Sequence, residues 1–231
     1  MKVTRTQGLT LALTFYLTTR MLSVAGDSQL GRDSDHDYEP PVPGSYALPV
    51  IKLAPDGAII DSKSNSLNLH QLTRGRLTVL SFIYTRCAAP RACPYAAGVL
   101  AQLHALSSED KALATNMRLV SLSFDPDYDT PQRLAVYSEG MREQKPGCEW
   151  CFATAKSRAD LDSILNGYGQ AVDKRSNPND PQGPLYHILR VFLIDREGRI
   201  RNIYSSSTLD PRLVLADVKT LLLEEKNVSI R

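Results

Sequence analysis

The chain has 231 residues, a formal net charge of +2, 42% hydrophobic and 23% charged residues, one Trp and four Cys. These proportions belong to an ordinary globular protein and exclude a disordered chain, a collagen-like fibre and a disulfide-dense miniprotein. Lys2, Arg5 and Arg20 are unopposed within residues 1–25, so the remainder sums to −1 and offers no cationic field for nucleic acid.

Lys2 and Arg5 form a short basic segment ahead of the mostly apolar stretch Gly8 to Thr19, and Ser23-Val24-Ala25 supplies small residues before Gly26. That order is the pattern of an export signal. A spanning helix needs about 20 apolar residues, and Arg20 interrupts this one. The alternative is an uncleaved anchor in which Arg20 snorkels, attaching the chain to a membrane through its N-terminus. Residues 26–48 hold Asp27, Asp33, Asp35, Asp37 and Glu39 against Arg32, then three prolines in four positions. This composition reads as a flexible acidic and Pro-rich linker, with His36 solvated rather than ligating. No fixed-period repeat is present, which argues against a solenoid.

From residue 49 onward the pattern is that of one domain, 49–231. Asp56-Gly57 between short apolar segments predicts a hairpin turn. Leu77 to Tyr84 is a continuous β-forming apolar run, the signature of a strand buried on both faces. Pro94 suits a first helical position, and Val99, Leu100, Leu103 and Leu106 continue with helical spacing. Met117 to Phe124 is the next strand, and Thr130 caps a helix that begins at Pro131. Trp150 and Phe152 mark a short strand; Ala159 to Tyr168 is helical and ends at Gly167 or Gly169. Ile188 to Asp195 and Arg199 to Tyr204 flank Arg196-Glu197-Gly198 as a hairpin, and Pro211 to Glu224 closes the chain as a helix. The order β-α-β-α-β-α-β-β-α predicts an α/β protein with a central mixed sheet flanked by helices, in the order of a thioredoxin-like fold.

Cys87 and Cys93 bracket the junction between the most buried strand and the following helix. A thiol there gains from the helix dipole and the free N–H groups, and Arg86 and Arg91 are expected to push the same way. A Cys87–Cys93 disulfide of purely structural purpose is the other reading; closing seven residues, it contributes about 2–2.5 kcal/mol. Cys148-Glu-Trp-Cys151 is a second pair. Positions three apart on a strand face opposite sides, so a Cys148–Cys151 disulfide requires a turn, which Pro146-Gly147 can start. A thiol relay, or a zinc site shared with the first pair, are the alternatives.

Several ordered pieces resemble the Sco/SenC family of copper-binding, thioredoxin-like proteins that help assemble cytochrome oxidase. Leu72-Thr-Arg-Gly-Arg76 followed by TVLSFIYTRC looks like the family's strand and first cysteine, and Cys93-Pro94 like its second. LVSLSFDPDYDTPQRL (119–134) is similar to its strand ending in Asp-Pro, then Asp-Thr-Pro. Tyr186-His187 ahead of Val191-Phe-Leu-Ile-Asp195 looks like its distal histidine. The resemblance covers about residues 45–224. It implies Cys87, Cys93 and His187 as ligands of Cu(I) and Cu(II). It leaves His70 and His104 as surface or packing residues. One departure stands out: five residues separate the cysteines, where the family commonly has three, and Pro90 and Arg91 lie in that loop.

Two functions follow. The first is an exported copper metallochaperone, periplasmic or anchored facing the periplasm and expected to be a monomer. Its client is a cuproprotein such as a cytochrome oxidase subunit, to which it delivers copper or for which it maintains thiols. The second is a thiol–disulfide oxidoreductase in which Cys87 and Cys93 cycle without stored metal. A peroxidase is disfavoured, since no Thr-x-x-Cys opens the loop helix.

Overall fold

The computed structural model describes residues 37–141 and 146–229. The expectations placed on residues 1–36, including the export signal and His36, lie outside the described residues. In chain order the elements are β1 (Lys52–Leu53), β2 (Ala58–Asp61), β3 (Ser66–Asn68), α1 (His70–Thr73), β4 (Leu77–Ile83), α2 (Cys93–Ser107), α3 (Lys111–Asn116), β5 (Met117–Ser123) and α4 (Pro131–Glu139). They continue with β6 (Glu149–Ala155), α5 (Arg158–Tyr168), β7 (Val172–Lys174), β8 (Leu185–His187), β9 (Arg190–Ile194), β10 (Arg199–Ser205) and α6 (Pro211–Ser229). Eight strands form one mixed sheet in the order β1-β10-β9-β4-β5-β6-β2-β3, and β7 pairs with β8 in a separate ribbon.

The sheet is built outward from β4. All seven of its residues are buried, so it must be bonded on both sides and covered on both faces. It runs parallel to β5 from Leu77↔Met117 to Ile83↔Ser123 and antiparallel to β9. β6 continues the parallel set beside β5. Parallel neighbours need crossovers; α2 with α3 and then α4 supply them, and the whole is a thioredoxin-like α/β fold with helices flanking a mixed sheet. The helix ends follow local chemistry. The Asp110 carboxylate accepts from the Ala112 and Leu113 amides, and the Thr130 hydroxyl from the Arg133 amide. Gly169 ends α5 in the left-handed conformation at φ 65°.

Three readings change. Asp56-Gly57 does not close a hairpin, because β1 pairs with β10 while β2 pairs with β3 and β6. Gly57 is there for closeness: a Cβ would stand 2.5 Å from the Ile164 side chain. Cys151 lies within β6 rather than in a turn. Within the segment read as a linker, residues 44–48 are fastened to the domain. The Gly44 amide donates to Thr220 Oγ1 at 3.0 Å, the Tyr46 hydroxyl to Asp217 at 2.5 Å, and buried Leu48 gives its carbonyl to the Arg201 guanidinium.

Asp217 is the centre of that attachment. It is buried and also accepts from the Tyr204 hydroxyl at 2.6 Å and Asn202 Nδ2 at 2.8 Å. Burial, with the bond to Asp217, raises the Tyr46 phenol to about 12, so it remains a donor through the physiological range. Replacing Asp217 by Ala strands three donors, and each unmet buried donor costs about 1–3 kcal/mol. We expect Asp217→Ala to lower the free energy of unfolding by about 2–4 kcal/mol in urea titrations, with protease sensitivity appearing first at residues 44–48.

Candidate metal centre

Cys87, Cys93 and His187 come together from three segments. Cys87 lies in the turn after β4, its amide donating to the Tyr84 carbonyl at 3.1 Å. Cys93 is the first residue of α2 and is buried. His187 is the last residue of β8 and pairs with Val172 of β7. One ligand atom from each of the three lies within 4.8 Å of the others, the only such group found among the described residues. His187 Nε2 is 3.3 Å from the Cys93 sulfur.

The five-residue loop does not separate the sulfurs. A turn at Ala89 to Ala92 (N to O, 3.0 Å) takes up the extra length, and the Ala88 amide donates to the Gln182 carbonyl at 3.2 Å. That second bond ties the cysteine loop to the arm bearing His187. The base of the loop is held by Asp129, fully buried, which accepts from the Thr85 amide at 2.9 Å, the Thr85 hydroxyl and the Ser123 hydroxyl at 2.5 Å. Three donors on one carboxylate satisfy a charge that burial alone would make costly.

The two thiols differ. The Cys93 thiol hydrogen-bonded to Cys87 is the chief cause that brings Cys87 down to about 4; burial opposes it, while His187 and the Cys93 and Ala89 amides act with it. Cys93 is driven far upward by the same bond and by burial. The two thiols titrate as a pair, with the more accessible Cys87 sulfur favoured as the thiolate. No side chain caps α2 at Ala92, which leaves its first amides for the sulfur. The arginines act otherwise than expected. Arg86 is committed to Asp125 at 2.6 Å and stacks over Tyr128 at 4.0 Å, and Arg91 lies over the Tyr95 ring at 5.7 Å.

The imidazole has an aromatic wall. The Phe124 ring is centred 4.8 Å from it and the Tyr84 ring 6.1 Å. Outside it a 480 Å³ cavity opens between Cys87, Pro90, Arg91, Arg175, Tyr186 and His187. His70 bonds Asp56 and the Ala54 carbonyl, and buried His104 packs on Trp150. Neither approaches the site.

Nor do Cys148 and Cys151. Arg118 pairs with Glu149 across β5 and β6, so this pair stands at the opposite end of the parallel strands, on the order of 20 Å away at about 3.3 Å per residue. That distance removes the shared zinc site and the direct relay. Cys148 is on the buried side with Trp150 and Phe152; half-buried Cys151 faces the other way and donates to Glu149 at 3.3 Å. No disulfide joins the four cysteines in this structure. The contributions of Tyr84, Phe124 and Asp129 escaped the sequence reading. Asp129 alone left a trace, in the Asp-Thr-Pro piece.

Comparison with known proteins gives a consistent result. A family model described as SCO1/SenC matches residues 58–223. The chain is similar to the SCO1 protein homolog of Bacillus subtilis (strain 168), 24% identical over 161 residues, or 69% of this chain and 77% of that protein. Among solved structures it is similar to Arabidopsis thaliana ScoI with copper bound, with a TM-score of 0.61 at 20% identity over 74% of this chain and 99% of that one. A SCO1/SenC family lipoprotein from Bacillus anthracis str. Ames gives a TM-score of 0.63 at 23% identity, covering 77% and 99%. At these identities the structures establish a shared fold.

The charge asymmetry predicts chemical asymmetry. In the reduced chain at about pH 6, an alkylating agent should label Cys87 well ahead of Cys93, because the thiolate is the nucleophile and Cys93 is buried and protonated. Peptide mapping by mass spectrometry checks this; equal labelling would contradict the assignment.

Proposed function

The chain belongs to the SCO1/SenC family, and on that premise we propose that it is an exported copper-binding assembly protein whose cargo ion is held by Cys87, Cys93 and His187. The observation that carries this reading is the convergence of two thiols and one imidazole within 4.8 Å. Two soft sulfurs suit Cu(I), and the added nitrogen suits Cu(II), so one donor set accommodates either state. The lowered pKa of Cys87 favours its entry as the first thiolate, and a bound cation would draw the proton from Cys93. The exposed side of the site, between Arg91, Arg175 and Tyr186, is the face a client would approach. By family resemblance that client is a cuproprotein such as a cytochrome oxidase subunit. Residues 1–25 act as an export signal or membrane anchor, with the acidic stretch after them as a tether. No helix among the described residues is long and apolar enough to cross a membrane.

A second reading has its own support. An accessible low-pKa thiol beside a buried partner is the arrangement of a thiol–disulfide oxidoreductase, in which Cys87 attacks and Cys93 resolves. His187 separates the two. Anaerobic titration of the reduced chain should show Cu(I) affinity changed by less than about threefold in His187→Ala, with Cu(II) affinity falling by about 100-fold and the sulfur-to-copper charge-transfer band lost. Equal Cu(II) binding in both proteins, or none in either with thiol exchange intact, would favour the oxidoreductase.

A further inference from the structure

We propose that Tyr84 is the positioning residue that holds His187 against the thiol pair; the proposal rests on the copper-binding reading above. The arm carrying His187 is a two-stranded ribbon, β7 with β8, outside the main sheet. Such a ribbon is marginal without tethers. Its outer residues Tyr186 and Ile188 are exposed, at 56% and 49%, and its apolar anchorage is confined to buried Leu185 and to Val172 packed against the core. Polar tethers add the direction that this burial lacks, and Tyr84 is at their centre.

Tyr84 follows the last residue of β4 and stands three positions before Cys87. Its ring is 1% exposed and packs at 5.2 Å from Phe124. Its carbonyl accepts from the Cys87 amide at 3.1 Å. Its hydroxyl reaches the Leu185 carbonyl at 3.0 Å and the Gln182 carbonyl at 3.2 Å. One residue therefore grips both halves of the site, main chain to the cysteine turn and side chain to the histidine arm. Gly183 makes the grip close. At φ +100° it accepts a backbone that other residues rarely adopt, and a Cβ there would lie 2.4 Å from the Tyr84 hydroxyl and 2.6 Å from the Arg86 carbonyl. Gln170 adds a second tether on the far side of His187, donating to the Ile188 carbonyl at 2.6 Å.

The Tyr84→Phe substitution keeps the ring in the core and removes only the hydroxyl. A neutral hydrogen bond of ordinary strength corresponds to about a tenfold change in the population of the docked arm. In the metal-free, reduced full chain, amide exchange over residues 172–188 should therefore accelerate by about tenfold, while β4 and β5 remain protected. In titrations, Cu(II) affinity should fall by about tenfold with a weakened charge-transfer band, and Cu(I) affinity should stay within about twofold, because the thiols are not displaced. Gly183→Ala, which retains the hydroxyl but forces it away, should reproduce both effects. Wild-type exchange and wild-type Cu(II) affinity in Tyr84→Phe would overturn the proposal, as would loss of Cu(I) and Cu(II) affinity to the same degree. Running His187→Ala alongside keeps the two questions apart. If that variant binds Cu(II) normally, the copper reading fails, and the exchange rates alone still decide whether Tyr84 holds the arm.

Discussion

Strand β4 bonds to β5 on one side and β9 on the other, and no residue along it reaches solvent. Its register is for that reason rigidly specified, since a slip by one position would turn every side chain to the opposite face. Everything at the candidate metal centre is indexed from its carboxyl end. Tyr84 enters the core beside Phe124, the turn at Thr85 and Arg86 follows, and Cys87 then emerges opposite the N-terminus of α2. A fixed strand end meeting open helix amides concentrates polar groups that water cannot easily reach, which is why such junctions host chemistry.

The segments around this core are secured by buried polar centres rather than by large apolar contacts. Asp129 holds the cysteine turn, Asp217 the N-terminal arm, and Arg201 joins Leu48 to Asp195 and Glu224. Each centre is satisfied several times over, and half-satisfied versions would be worse than an apolar replacement. The gain is directional. Hydrogen bonds fix where a loop sits, whereas hydrophobic burial fixes only that it is inside.

Much of this was legible in the residues. The apolar runs at 77–84 and 117–124 gave the central strands because burial on both faces demands unbroken hydrophobicity. Thr130 and Gly169 gave helix ends because capping is local chemistry. The grouping of Cys87 with Cys93 and His187 came through family resemblance, not spacing. The features that escaped depend on partners far away in sequence. Val172–Lys174 and Leu185–His187 are too short to show a period, and the Tyr84 hydroxyl meets a carbonyl 101 positions away. Arg86 was expected to serve the thiols, yet the nearer carboxylate of Asp125 takes its charge. Pro146-Gly147 suggests a turn at Cys151, but pairing with β5 extends the chain there.

The placement of the second cysteine pair also bears on how the chain oxidises. Four thiols allow three pairings in an unfolded polypeptide. In the folded domain Cys151 lies within β6 and Cys148 in the bend just before it, and both are remote from Cys87 and Cys93. No bond between one pair and the other can then form without dismantling the sheet. The strand thus acts as a filter on covalent chemistry: a chain that folds before it meets an oxidant keeps Cys87 and Cys93 from mispairing with the second pair, and one that meets the oxidant first can be locked into a shape that never brings Cys87, Cys93 and His187 together.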